Sequence, residues 1–276
     1  MSEEAPVANH NTLYLQLGVT LLVFLVLYRA FTFYVKAVIA ITWLMVISTY
    51  GCFASFFCAA IGRRAMTNWL VARGFAYCAA PSVGIKFELE GEENLKSTPG
   101  IVLCNHQTSL DVLIMGRIFP KDCVVMSKQS LKYVPFLGMF MRLAAAVFID
   151  RKNHASALRT TKNAVEFIKD NKLSLWIYPE GTRSHFKKPD LLPFKKGAFH
   201  LALQANYPII PIVISNYSHV YNSQAKQWPG GVVKIKVLPA ISTKKYSPET
   251  VGELMEHTRD LMLDALKEVS NNRKTD

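Results

Sequence analysis

The segment Asn105-His106-Gln107-Thr108-Ser109-Leu110-Asp111 sets a histidine five positions ahead of a carboxylate. On one regular helix that spacing would turn the two side chains apart by roughly 140°. A strand predicted over 100–104 instead delivers Asn105 and His106 into a turn, and a helical stretch starting near Thr108 carries Asp111 in its first turn. From there the carboxylate can accept an imidazole N–H, fix the tautomer and stabilise the protonated ring. Such a histidine can take the proton of a hydroxyl as it attacks an activated carbonyl and hand it on to the leaving group, an effect worth about 10²–10⁴ in rate. Thr108 to Asp111 also reads as a helix-capping box, and on these residues alone capping is the leading reading. A metal site is not expected, because no third ligand stands at a recognisable spacing.

Two further segments combine an arginine with the end of an apolar run: Phe148-Ile149-Asp150-Arg151 and Pro179-Glu180-Gly181-Thr182-Arg183-Ser184. Ligands in open α/β sheets gather beyond the carboxyl ends of strands. A tight turn at Gly181 can present backbone N–H groups and the Thr182 hydroxyl to an anion, while Arg151 and Arg183 add forked donors. Two guanidiniums so placed suit a phosphate. The plain alternatives are an ordinary Glu-Gly turn and a local ion pair at Asp150.

The elements that must position these groups follow from patterning. Short apolar runs predict strands over 85–89, 100–104, 123–126, 146–149, 173–178, 209–214 and 232–238. Longer periodic stretches predict helices over 62–78, 109–118, 134–142, 154–170, 198–205 and 248–269. Strands alternating with helices are α/β patterning. No linker, repeat or low-complexity stretch divides this region, which is expected to form one domain over 62–276.

Ahead of it lie two apolar runs, 12–28 and 37–61, that contain no Asp, Glu, Lys or Arg. They raise the mean hydropathy to +0.16, and half the chain is hydrophobic. The second run can span a hydrocarbon core of about 30 Å, and the first is near the short limit. The expectation is a two-helix membrane anchor over 1–61, either fully crossing or re-entrant. Arg29 and Lys36 lie between the runs, on the far side if both cross, a conflict that a re-entrant hairpin removes. Glu3 and Glu4 without a leading Lys or Arg fit a cleaved signal peptide poorly.

A net charge of +12, with Arg63, Arg64 and Arg73 following the anchor, favours a catalytic domain on the cytoplasmic side. It also suits anionic membranes and phosphate-bearing substrates better than nucleic acid, for which no recognised motif is present. Five cysteines without CxxC spacing are expected as reduced structural thiols.

In this order, NHQTSLD, VFIDR, YPEGTRS and PIIPIVI resemble the four blocks of the glycerolipid acyltransferase family, most closely its 1-acyl-sn-glycerol-3-phosphate acyltransferases. The resemblance runs from about residue 91 to 215. It implies an α/β fold with a mixed sheet flanked by helices, catalysis by His106 and Asp111, and acceptor binding by Arg151, Glu180, Gly181, Thr182 and Arg183. Pro208 to Val213 would shape a pocket around Pro211 or serve as a buried strand. The segments Met126-Ser127-Lys128 and Tyr133 to Gly138 resemble the members that acylate lysophosphatidic acid, and Lys128 then joins the phosphate ligands. Two departures are Ala144-Ala145-Ala146, where a glycine is common, and Tyr178, where Phe is common.

What the resemblance implies is transfer of a fatty acyl group from acyl-CoA to the sn-2 hydroxyl of lysophosphatidic acid. The partners are acyl-CoA as co-substrate, lysophosphatidic acid and membrane lipids, with no other cofactor and no nucleic acid. No GxSxG elbow is present, so direct transfer without an acyl-enzyme is expected. Another lysophospholipid, glycerol 3-phosphate, a transacylase reaction, or a non-catalytic lipid-binding protein are the alternatives. The expected location is the endoplasmic reticulum membrane, with the domain facing the cytosol.

Overall fold

The computed structural model describes residues 10–97, 99–150 and 154–271. The helices are α1 (His10–Ala60), α2 (Met66–Ser82), α3 (Asp111–Ile118), α4 (Leu137–Leu143), α5 (His154–Asp170), α6 (Gly197–Ala205) and α7 (Val251–Asn271). The strands are β1 (Ile85–Glu90), β2 (Ile101–Cys104), β3 (Cys123–Lys128), β4 (Val147–Ile149), β5 (Ser174–Ile177), β6 (Ile209–Ile214) and β7 (Gly231–Val237). All seven strands form one sheet in the order β1-β7-β6-β2-β5-β3-β4. Every pairing is parallel except β6 with β7, so the sheet is mixed.

Strands β2, β5 and β6 are buried throughout, as expected of apolar strands covered on both faces. Alternation splits their side chains between two cores. Val102, Cys104, Trp176 and Ile212 pack with Phe75 and Ala79 of α2 and Ile114 of α3. Ile101, Leu103, Leu175 and Val213 pack with Ile168 of α5, Phe199 of α6 and Leu266 of α7. Edge strand β1 is only half-buried, and its Glu88 and Glu90 meet Lys234 and Lys236 of β7.

The anchor differs from expectation. Instead of two helices, α1 is one continuous helix of 51 residues, about 77 Å long. Residues 29–36 contain neither Gly nor Pro, so nothing there interrupts the backbone ladder. Nor does Lys36 stand across a membrane from the domain, because its Nζ donates to the carbonyls of Trp228 (2.9 Å) and Pro229 (3.2 Å).

The second apolar run lies along the domain. Phe33 stacks on Tyr221, and a Cβ at Gly51 would come within 2.5 Å of Val71 of α2 and 2.7 Å of Phe140 of α4, so only glycine allows this approach. At the far end, Arg63 closes on Asp122, just ahead of β3. Residues 14–29 are exposed throughout and form the free N-terminal part of the helix. They leave the domain on the side where Trp228 and Pro229 lie, beyond the carboxyl end of β6. By length and composition α1 is able to cross a membrane, with a mean hydropathy of 2.0 over its most apolar window.

Candidate active site

The residues singled out in the sequence rise from the carboxyl ends of adjacent parallel strands. His106 follows β2, Glu180 to Arg183 follow β5, Lys128 closes β3, and Asp150 follows β4. Arg151 lies outside the described residues. With strands about 4.8 Å apart, β2 and β4 stand about 14 Å from each other.

The turn after β2 is built by its own side chains. Asn105 continues the ladder where the strand ends: its Nδ2 donates to the Ile214 carbonyl at 2.9 Å, and its Oδ1 accepts the Ile214 N–H at 2.8 Å. Gln107 Nε2 donates to the carbonyls of Ile214 and Ser215 at 3.1 and 2.9 Å. The turn is thereby laced to the end of β6 before α3 begins.

Asp111, fully buried, is the first residue of α3. Its Oδ2 lies 2.7 Å from His106 Nδ1 and also accepts the N–H groups of Gln107 (2.6 Å) and Thr108 (3.0 Å). The carboxylate thus holds the imidazole and closes the turn ahead of α3, whereas the helix start at Leu110 has no side-chain cap. A donor on Nδ1 directs the lone pair of the neutral ring to Nε2. The His106 side chain is 17% exposed, enough for that nitrogen to meet a substrate while its partner carboxylate stays dry.

Three residues that spacing did not reveal complete this arrangement. The Tyr217 hydroxyl, buried, donates to Asp111 Oδ1 at 2.5 Å and lies 2.8 Å from Thr108 Oγ1. Burial, together with the Asp111 charge, pushes the Tyr217 phenol well above its usual range, so it stays a neutral donor. Tyr178, at the position where a Phe was the commoner expectation, stacks on the imidazole with ring centroids 4.1 Å apart. Lys195 is the third: its side chain passes over the Gly181 turn, where a Cβ would meet Lys195 carbons at 2.7 Å and Nζ at 3.0 Å. No local pattern marks Tyr217, whereas Lys195 stands in a visible basic pair with Lys196.

Glu180 is placed differently from its neighbours in the turn. It is 3% exposed, with Oε1 accepting the His106 N–H at 2.6 Å and Oε2 accepting the Leu192 N–H at 2.9 Å. Ser184 N–H donates to the His106 carbonyl at 2.9 Å, so both backbone groups of the histidine are held by the segment after β5. Burial raises the Glu180 carboxyl to about 7, against the two backbone N–H groups, which lower it, and with a further push from Asp111. Gly181 adopts φ +70°, and beyond it Thr182 and Arg183 are exposed, as is Lys128. Among the described residues no His, Cys, Asp and Glu group is arranged to hold a metal ion.

The family described as Acyltransferase matches residues 86–215, a span that contains His106, Asp111, Glu180 and Lys195 and ends two residues before Tyr217. A 1-acyl-sn-glycerol-3-phosphate acyltransferase of Saccharomyces cerevisiae is 41% identical over 239 residues, 87% of this chain and 79% of the yeast protein. The chain belongs to the 1-acyl-sn-glycerol-3-phosphate acyltransferase family. The alpha form of Mus musculus is 36% identical to this acyltransferase over 215 residues, covering 77% of this chain and 74% of the mouse protein. The crystal structure of the acyltransferase PlsC from Thermotoga maritima superposes with a TM-score of 0.71 over 91% of this chain and 98% of its own, at 23% identity, and shares the fold. The acyltransferase thus carries its His106–Asp111 pair on an architecture found in a solved relative.

Proposed function

We propose that this acyltransferase moves a fatty acyl group from acyl-CoA to the sn-2 hydroxyl of lysophosphatidic acid, forming phosphatidic acid. The observation that carries the reading is the His106 Nδ1–Asp111 Oδ2 contact of 2.7 Å, which leaves Nε2 for the reaction. The hydroxyl gives its proton to Nε2 as its oxygen bonds to the thioester carbonyl carbon. The C–S bond then breaks, and the CoA thiolate takes the proton from the imidazolium. Asp111 stabilises that imidazolium, no acyl-enzyme forms, and no cofactor or metal takes part.

Arg151, Arg183, Thr182 and Lys128 hold the acceptor phosphate, and Lys195 joins them from above the Gly181 turn. Binding energy at the phosphate then orients the reacting hydroxyl. Glu180 serves the acceptor indirectly, by fixing the backbone at His106. Residues 1–61 anchor the enzyme in the endoplasmic reticulum membrane, and 62–276 form the cytosol-facing acyltransferase domain. The exposed N-terminal part of α1, residues 14–29, supports this reading, because it leaves the domain from the edge that carries the site.

The test is product analysis with oleoyl-CoA and competing acceptors, using purified protein in detergent. Phosphatidic acid as the dominant product supports the assignment. Preferential acylation of glycerol 3-phosphate or of a choline-bearing lysophospholipid moves the acceptor specificity elsewhere.

A further inference from the structure

The edge of the sheet opposite His106 holds a cavity of about 510 Å³. It lies at the amino ends of the central strands, lined by Pro99 ahead of β2, Asp122 ahead of β3 and Ser174 at the start of β5. From Pro99 to Asn105 an extended chain advances about 20 Å, so this cavity is distinct from the catalytic edge. Its volume is in the range of small-molecule sites, roughly 300–1,000 Å³.

Cations from separate elements line it: Arg73 of α2, Lys96 from the turn after β1, Lys121 ahead of β3 and Lys172 between α5 and β5. The carboxylates there are already engaged. Both oxygens of Asp122 accept from Arg63, and Glu92 lies 3.8 Å from both Arg73 and Arg117. Lys96, Lys121 and Lys172 have no carboxylate partner among the described residues. Arg73 donates to the Arg117 carbonyl, yet its Nε is buried without an acceptor. Burial, and after it the neighbouring Arg117 charge, lower the Arg73 pKa, while Glu92 and Tyr77 partly offset them. Lys121 is held over the Trp69 ring at 5.0 Å, where a π face substitutes for an anion.

Three lysines without a carboxylate partner, beside an arginine whose Nε is buried without an acceptor, suit a multiply charged anion in a cavity of this size. The free N-terminal part of α1 leaves the domain from the opposite edge, beside Trp228 and Pro229. We infer that it binds a soluble diphosphate group, either free or carried on a nucleotide.

The experiment is titration of the full chain in detergent with pyrophosphate, ADP and adenosine, followed by calorimetry and tryptophan fluorescence. Pyrophosphate and ADP should bind saturably and compete, and adenosine should not bind. Replacing two charged partners in a Lys121→Ala/Lys172→Ala variant should weaken both anions by about tenfold or more, and its acyl transfer in the absence of diphosphate should match wild type, which also establishes that it is folded. Trp69→Phe should remove the fluorescence change. An Arg183→Ala variant should bind both anions as wild type does. Tighter binding of ADP would assign the site to a nucleotide, and equal binding to the free diphosphate. No saturable binding, binding of adenosine as strong as that of ADP, or a loss that follows Arg183→Ala rather than the lysine variant would overturn the inference.

Discussion

Glu180→Gln replaces a buried carboxylate by a group of nearly the same shape that does not titrate. In the folded protein the Glu180 carboxyl titrates at about 7, raised from an ordinary 4.5 by burial. The native state therefore binds this proton more tightly than the unfolded chain does. The sign follows from linkage: the group's contribution is fully present below the unfolded value and is lost as pH rises towards the folded one. A shift from 4.5 to about 7 corresponds to on the order of 3 kcal/mol between these limits, at about 1.4 kcal/mol per pH unit. For a chain of this size that is a fall of roughly 6–12 °C in unfolding temperature as pH is raised across the window. Other groups titrate as well, so the quantity to follow is the difference between wild type and variant, by thermal unfolding in detergent from pH 4.5 to 8. Wild type should lose stability relative to Glu180→Gln as pH rises to about 7 and then run parallel to it. Parallel curves throughout would refute the claim that a dry carboxyl holds the His106 and Leu192 N–H groups.

Tyr217→Phe deletes one hydrogen bond to a buried carboxylate and should cost about 1.5–3 kcal/mol in stability. The rate constant for CoA release should fall about tenfold, with little change in acceptor KM; a rise in KM alone would contradict a role behind Asp111. Lys195→Ala and Arg183→Ala should each raise KM for lysophosphatidic acid by about tenfold while leaving KM for acyl-CoA nearly unchanged, and equal effects on both substrates would remove these residues from the phosphate site. Gly181→Ala adds a methyl group that meets the Lys195 side chain at 2.7 Å on a backbone at φ +70°, so acceptor KM should rise there too, and unchanged kinetics would count against the turn as a binding element.

The strands were legible because β2, β5 and β6 are short, almost wholly apolar runs bounded by turn residues, and a buried strand needs little else. His106 and Asp111 were legible as a pair because the turn that joins them is local. What escaped was set by contacts across the fold. Glu180 reaches His106 across 74 positions and Tyr217 reaches Asp111 across 106, distances over which spacing carries no information. The division of the anchor into two helices failed for a related reason: Arg29 and Lys36 read as a break between two apolar runs, yet Lys36 finds its carbonyl partner 192 positions downstream and the helix continues. Tyr178, visible only as a departure from Phe, takes on meaning once its ring is seen lying on the imidazole.

The central claim is that His106 removes the acceptor's proton and that the acyl group passes directly to the hydroxyl. The most direct measurement is CoA release by wild type and His106→Ala given oleoyl-CoA and lysophosphatidic acid, with rapid quenching to recover any acyl label bound to protein. The account predicts phosphatidic acid from the wild type, a loss of about 10²–10⁴ in the variant, and no retained label in either. Activity that survives in His106→Ala, or label held covalently on the chain, would contradict it.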